Sequence, residues 1–116
     1  MLMVSKVTPR QVVARMVGGS SVSFVDARSD QHWSASEQMI AGAVRARLPS
    51  LVQDATQVSR SRLVVVYGQD GQDLDVPRIA EGLRGIGFPE VRILSGGFTA
   101  WSELQFAVQS ARETAH

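Results

Sequence analysis

Short apolar runs alternate along the chain with stretches whose apolar residues recur at wider spacing. The clearest run is Leu63–Tyr67, which has no charged residue and no polar residue before its closing tyrosine, as expected of a parallel strand buried on both faces. Val22–Asp26 and Val91–Leu94 are rich in residues that favour strands and are also predicted as strands. The pattern further predicts two short strands, at Met3–Lys6 and Ala43–Arg47.

Between these runs, apolar residues recur at the spacing of an amphipathic helix. Thr8 is predicted as the N-cap and Pro9 as the first residue of a helix that ends at Gly18–Gly19. A longer helix is predicted from Asp75, as its N-cap, to Gly85. Shorter helical segments are predicted at Pro49–Ala55, around His32 and Trp33, and after Gly96–Gly97 through Trp101.

This alternation of strands and helices predicts an α/β fold. We expect a three-layer α/β/α arrangement around a central, mostly parallel sheet of about five strands. A length of 116 residues predicts one domain over residues 1–116. The polar tail from about Gln109 is predicted to be disordered.

Composition narrows the functional classes. Twelve basic residues nearly balance 11 acidic ones, so charge predicts neither a nucleic-acid partner nor a membrane partner. The absence of cysteine excludes disulfides, thiolate metal sites and thiol redox chemistry. The sequence has no phosphate-binding glycine motif and no metal-ligand spacing, so we expect no cofactor and no metal. A signal peptide and an apolar segment of about 20 residues are both lacking, which makes the cytoplasm the expected compartment.

Four stretches, taken in order and spacing, resemble the rhodanese (sulfurtransferase) family. Phe24–Arg28 is similar to the family's strand that ends in Asp-x-Arg, and Ile40–Ala43 to the tail of its Gly-His-Ile-Pro-Gly-Ala element. Val65–Gly68 stands where the family has an apolar strand leading into its cysteine. Val91–Trp101 resembles the family's last strand with its Gly-Gly and Ala-Trp ending. The resemblance covers about residues 4–108 and implies a rhodanese-like fold.

The chain departs from the family at the position that carries the chemistry. The resemblance implies transfer of a sulfane sulfur through a cysteine persulfide, but Gly68 occupies the cysteine position and has no side chain to act as a nucleophile. Asp73 lies near the position of the family's arginine, and Met39 where the family usually has histidine. We therefore predict no catalytic residue in this chain.

The segment equivalent to the family's active loop consists of Gly68, Gln69, Asp70, Gly71, Gln72 and Asp73. Its glycines and the helix that follows predict that the backbone part of an anion cradle is retained. Asp70, Asp73 and Asp75 make the segment acidic, so it repels anionic sulfur donors. The three aspartates have three interpretations: capping and solvation, a weak divalent-cation site, or recognition of a basic partner.

The roles of the remaining candidate residues are predicted from the residues that stand beside them in the sequence. Trp33 either packs over the loop or is an exposed anchor for a partner, and Arg45 and Arg47 form either a basic edge near the loop or a solvated strand face. Asp26, His32 and a serine allow a hydrolase triad to be drawn, but no Gly-x-Ser-x-Gly elbow supports it. The residues predicted to be structural are Asp26 and Arg28 at a strand end, Gly96 and Gly97 in a tight turn, and Trp101 in the core.

These observations favour a catalytically inactive rhodanese-like domain that acts as a binding or regulatory module for a protein partner. Its predicted binding surface is the acidic loop with Trp33, Arg45 and Arg47. The alternative is a thiosulfate or persulfide sulfurtransferase whose cysteine was removed artificially or is supplied by a partner. A dimerising α/β domain without a ligand is a third hypothesis.

Overall fold

The computed structural model describes residues 4–111. Within these residues the strands are β1 (Lys6–Val7), β2 (Val22–Asp26), β3 (Gln38–Ile40), β4 (Val44–Arg45), β5 (Leu63–Tyr67), β6 (Val91–Leu94) and β7 (Val108–Ser110). The helices are α1 (Pro9–Val17), α2 (Asp30–Ala35), α3 (Leu51–Ala55), α4 (Asp75–Ile86) and α5 (Gly97–Glu103), with a 3-10 turn at Leu48–Ser50. None of the helices in residues 4–111 has the length and hydropathy needed to cross a membrane.

The predicted central sheet is confirmed as five parallel strands in the order β1-β6-β5-β2-β4. All five residues of β5 are buried, because helices cover both faces of the sheet. Val64 and Val66 point into one core with Ile79 of α4. Val65 and Tyr67 belong to a second core on the other face, which also contains Val12 of α1 and Trp101 of α5. The fold is therefore the predicted three-layer α/β/α arrangement.

The two long helices begin in different ways. The predicted cap of α1 is confirmed: Gln11 donates its backbone N–H to the Thr8 hydroxyl (3.1 Å), and the Gln11 side chain accepts from Thr8 N–H (2.9 Å). The predicted cap of α4 is wrong, because Leu74 is the N-cap and makes no side-chain cap bond. Asp75 is instead the first helical residue, where its carboxylate lies at the positive end of the helix dipole.

Three predicted boundaries shift. The first strand is Lys6–Val7 rather than Met3–Lys6, and residues 1–3 lie outside the described part of the chain. The strand predicted at Ala43–Arg47 contracts to β4, since only Val44 and Arg45 pair with β2. The helix predicted at Pro49–Ala55 divides into the 3-10 turn and α3.

The prediction of a disordered tail from about Gln109 is wrong as far as Ala111. The strand β7 pairs antiparallel with β3, with Met39 opposite Gln109 and Ile40 opposite Val108. Ala111 is buried and donates its N–H to the Glu37 carbonyl at 3.0 Å. Strand pairing thus fixes a segment whose polar composition favours disorder. The rest of the predicted tail, residues 112–116, lies outside the described residues.

Candidate functional site

A buried polar cluster of Asp26, Arg28 and Tyr67 lies at the carboxyl end of the sheet. Asp26 and Tyr67 are register partners at the ends of β2 and β5. Arg28 donates from Nη2 to Asp26 Oδ2 at 2.7 Å and from Nε to both carboxylate oxygens at 3.1 Å. The Tyr67 hydroxyl donates to Asp26 Oδ2 at 2.9 Å. Neither charged side chain is exposed (0% each), so this ion pair is fully desolvated.

The same cluster connects the central sheet to β3. Arg28 Nη2 also donates to the Gln38 carbonyl (2.8 Å), and the Tyr67 hydroxyl accepts from the Ile40 N–H (3.1 Å). Burial, reinforced by the Asp26 carboxylate, raises the pKa of Tyr67 above its usual range, so the hydroxyl stays protonated and can donate. These contacts give Asp26 and Arg28 a structural place beneath the loop.

The loop Gly68–Asp73 is fastened to the start of α5. Phe98 N–H donates to the Gly68 carbonyl at 2.9 Å, and Thr99 N–H donates to the Gln69 carbonyl at 2.8 Å. Gly97 makes this approach possible: its φ is +59°, and a Cβ there would lie 2.5 Å from the Gly68 oxygen. Gly96 also has a left-handed backbone, with φ +74°. The two glycines therefore form a turn that brings α5 against the loop.

The space above Gly68 is filled by the side chain of Asp73. A Cβ placed on Gly68 would lie 2.8 Å from Asp73 Cβ, from Asp73 Cγ and from Val76 Cγ2. Real Cβ atoms do not approach other atoms so closely, so a larger residue at position 68 requires Asp73 or its neighbour to move. The loop thus lacks both a nucleophile and the room for one.

Asp73 also occupies backbone donors at the loop, where the sequence predicted that the backbone part of an anion cradle is retained. Its Oδ1 accepts from Gln69 N–H at 3.1 Å, and its Oδ2 accepts from Ser29 N–H at 3.0 Å. The Asp73 side chain is only 3% exposed. An internal carboxylate therefore takes the place where an external anion would bind: the backbone donors are present, but Asp73 occupies them.

The hydrolase triad that the sequence allowed but did not support is not formed in the structure. Asp26 bonds to Arg28 and Tyr67, whereas His32 lies 3.6 Å, through Nδ1, from Asp73 Oδ2. The Ser29 hydroxyl meets the same Nδ1 atom at 3.1 Å. A relay needs serine and aspartate on opposite ring nitrogens, so this arrangement cannot pass a proton from one to the other.

A groove of about 410 Å³ opens beside the loop; it is lined by Ser29, His32, Asp70, Gln72, Asp73, Leu74 and Asp75. Leu74 is 86% exposed at its rim. Asp70 turns back on the loop and accepts from Gln72 N–H at 3.1 Å. Gly71 provides the left-handed residue of that bend, with φ +93°. In residues 4–111 no group of three or more His, Cys, Asp or Glu side chains is placed to hold a metal ion.

Both arginines of the predicted basic edge pair with Asp30, which offsets part of their charge. Arg45 Nη2 and Arg47 Nη2 contact the two oxygens of Asp30 at 3.1 and 2.7 Å. The hydrogen bond from Arg47 is the main reason that the pKa of Asp30 lies below its usual value. Half-buried Trp33 contacts two guanidinium groups, with ring centroids 5.6 Å from Arg28 and 5.2 Å from Arg45. Trp33 therefore packs beside the buried polar cluster.

Gln69 and Trp101 complete the predicted set. The Gln69 side chain bridges the loop, since its oxygen accepts from Arg28 Nη1 (3.4 Å) and its nitrogen donates to the Thr99 hydroxyl (3.3 Å). Trp101 is buried, donates from Nε1 to the Ala107 carbonyl at 2.8 Å, and contacts Phe24 edge to face.

The sequence did not reveal three residues of the site: Ser29, Asp30 and Leu74. Only Leu74, an apolar residue in a polar segment, stands out in the sequence.

Residues 8–104 of the sequence match the model of the rhodanese family, which is described as a rhodanese-like domain. A comparison with curated protein sequences found no significant match. The chain is similar to the solution NMR structure of a rhodanese-like domain from Anabaena sp. (23% identity, TM-score 0.72, 98% of this chain and 85% of that one). It is also similar to a crystal structure of a rhodanese-like domain protein from Staphylococcus aureus (18% identity, TM-score 0.64, 84% and 90% coverage).

A third similar structure is that of thiosulfate sulfurtransferase from Pseudomonas aeruginosa. The identity is 17% and the TM-score 0.70, over 91% of this chain but only 19% of that protein. Similarity at these identities shows a shared fold. The match over residues 8–104 goes further, because it covers most of the sequence. The chain belongs to the family of rhodanese-like domains.

Proposed function

We propose that this rhodanese-like domain is a pseudoenzyme, which performs no sulfur transfer and acts as a binding or regulatory module for a protein partner. The observation that carries the proposal is the state of position 68: a glycine stands there, and the Asp73 carboxylate fills the space above it. Persulfide chemistry needs a thiolate that attacks the donor and holds the sulfur. The loop offers no atom for either step.

The negative charge of the loop also supports a role without sulfur transfer. The loop and the helix start that follows it carry Asp70, Asp73 and Asp75, and the Gln69 N–H is already bonded to Asp73. An anionic sulfur donor would meet three carboxylates and would have to displace one of them. Such a site is built to exclude anions, which supports a role by contact.

The alternative is a sulfurtransferase whose cysteine was removed artificially or comes from a partner. A cysteine at position 68 would require Asp73 or Val76 to move, because the added Cβ lies 2.8 Å from atoms of both side chains. Comparison of this sequence with the encoding gene tests whether the glycine was introduced artificially. A thiol supplied by a partner is tested by mixing the chain with candidate cysteine-bearing proteins.

The test is a thiosulfate:cyanide assay on the purified chain, with a heat-inactivated sample as the background. We expect no turnover above background for the unchanged chain, and little for Gly68→Cys, because Asp73 blocks the thiol and repels the donor. The double variant Gly68→Cys, Asp73→Gly removes the obstruction and is expected to exceed Gly68→Cys. Clear turnover by the unchanged chain contradicts the proposal, and strong rescue by Gly68→Cys alone contradicts the role given to Asp73.

A protein is the proposed partner because the charge is balanced, with 12 basic and 11 acidic residues, and so favours neither nucleic acid nor a membrane surface. We propose no cofactor and no metal for this role. One domain over residues 1–116 and a cytoplasmic location remain predictions from the sequence pattern.

A further inference from the structure

We infer that the groove beside the loop binds a partner segment in which an arginine or lysine stands next to an apolar residue, an assignment that rests on the proposed function. The groove combines at one place an exposed leucine, carboxylates that have no ion-pair partner within residues 4–111, and a fixed floor. It lies beside the loop that carries Gly68 at the family's cysteine position, and Asp73 is part of its lining.

The apolar part of the groove is centred on Leu74. This side chain is 86% exposed at the point where the loop enters α4. A single exposed leucine is ordinary on a protein surface, but Leu74 lines a concave space of about 410 Å³. A partner's apolar side chain placed there would remove both surfaces from water. The size is at the lower end for small-molecule pockets, roughly 300–1,000 Å³, and suits one or two side chains.

The charged part of the groove is negative. Its lining includes Asp70 and Asp75, and within residues 4–111 neither makes an ion pair, unlike Asp26 and Asp30. His32 is the lining residue that can carry positive charge, and it lies against Asp73. Charge complementarity therefore selects a cationic side chain and rejects a carboxylate or phosphate.

The floor of the groove is formed before a partner arrives. Asp73 joins the loop to the start of α2 by accepting from both Gln69 N–H and Ser29 N–H. The far side of the loop is held by Phe98 and Thr99 of α5. A surface that is already ordered loses little conformational entropy on binding, so short segments of the stated chemistry can bind it.

The experiment uses the full chain labelled with 15N and three short synthetic peptides. One alternates leucine and arginine, the second replaces arginine by glutamate, and the third replaces leucine by serine. The leucine–arginine peptide is expected to shift the backbone amide signals of Asp70–Asp75, Ser29 and His32, more weakly at high salt. The glutamate peptide is expected to shift none of them, and the serine peptide to bind at least several-fold more weakly.

Substitutions at the groove have matched controls elsewhere on the surface. Leu74→Ser is expected to weaken binding about tenfold, and Asp75→Asn about two- to fivefold. Val52→Ser, at another exposed apolar residue, and Glu81→Gln, at another exposed carboxylate, are expected to leave the affinity unchanged. Equal binding of the arginine and glutamate peptides, signal shifts away from the groove, or equal losses in the Val52 and Leu74 variants would overturn the inference.

Failure here and failure of the proposed function are separable. If none of the peptides binds and the thiosulfate assay shows no turnover, the groove assignment is wrong while the pseudoenzyme proposal stands. If the assay shows turnover, the pseudoenzyme proposal is wrong whatever the peptides do.

Discussion

The buried polar cluster and the groove lie at the same end of the sheet but differ in how they treat charge. In the cluster, Asp26 and Arg28 are fully buried and paired, and Tyr67 donates to the same carboxylate. In the groove, Asp70 and Asp75 are exposed, and among the described residues they have no ion-pair partner. Charge that supports a fold is satisfied internally, whereas charge left at a surface is available to another molecule.

Breaking the buried cluster should have the largest effect on stability. Arg28→Ala leaves the Asp26 carboxylate desolvated and without its cation, so we expect a loss of about 3–5 kcal/mol in the free energy of unfolding. Arg47→Ala is the control, because its ion pair with Asp30 is largely exposed and should contribute far less to stability. Urea unfolding measures both variants. Similar losses in the two would remove the distinction between buried and surface charge.

The close approach of α5 to the loop gives the next prediction. Gly97→Ala places a Cβ 2.5 Å from the Gly68 oxygen at a residue with φ +59°, so we expect a loss of about 2–3 kcal/mol or more. Gly85→Ala is the control, because nothing lies within 4 Å of the added Cβ and alanine favours the helix by about 0.5–1 kcal/mol. Thermal unfolding of both variants should shift the midpoint in opposite directions.

A smaller loss of stability is expected at Gly68, because the atoms close to an added Cβ there belong to side chains rather than to the backbone. Gly68→Ala should cost about 1–2 kcal/mol, because Asp73 and Val76 must yield. Asp73→Gly removes the nearest atoms, so in the double variant the two losses should fall short of additivity by about 0.5–1 kcal/mol. Urea unfolding of the two single variants and the double variant completes the cycle. Strict additivity would mean that Asp73 does not fill the space above Gly68.

The smallest predicted effect lies at the opposite end of the sheet, where β6 begins. Glu90 accepts two hydrogen bonds from Arg15 (3.1 and 3.0 Å) and one from Arg92 (3.1 Å); the Arg15 hydrogen bonds are the main reason that the pKa of Glu90 is lowered.

Because the pKa of Glu90 is lower in the folded state than in the unfolded state, the ionised carboxylate stabilises the fold at pH values above the unfolded pKa of about 4.3. This stabilisation is lost as the pH falls through the pKa that Glu90 has in the folded state. Glu90→Gln should therefore lower the melting temperature slightly at pH 7 and flatten its decline between about pH 5 and pH 3. Glu81→Gln, at an exposed residue of α4, serves as the control. An unchanged acid decline in the Glu90 variant would contradict the prediction.

The elements that the sequence predicted well are those whose own residues determine them. The run Leu63–Tyr67 is apolar throughout and forms the buried centre of the sheet, and Thr8 with Gln11 forms the start of α1. The strands β3 and β7 could not be read in the same way. Each has mixed polarity and only three residues, and each is held by a partner far away in the sequence. Their stability comes from pairing, which a local pattern does not contain.

The candidate site likewise has features that the sequence predicts and features that depend on contacts between distant residues. The missing nucleophile at Gly68 and the acidic character of the loop are properties of the residues themselves, and the sequence alone revealed both. The position of the Asp73 carboxylate depends on Ser29, a residue of another loop, and on the room left by Gly68. The sequence therefore did not show that Asp73 fills the cradle, because the atoms that meet there come together only in three dimensions.

The pairing of β3 with β7 also orders events during synthesis on the ribosome. Ile40 emerges about 70 residues before Val108, its register partner, and non-local pairing of this kind closes late in folding. A nascent chain that stalls before Val108 would expose the outer edge of β3, whose Gln38 and Ile40 complete the contacts of Arg28 and Tyr67. Translation therefore reaches β7 only after the buried pair of Asp26 and Arg28 and the strand β3 beside it have been made, and until then β3 lacks the strand that pairs with its outer edge.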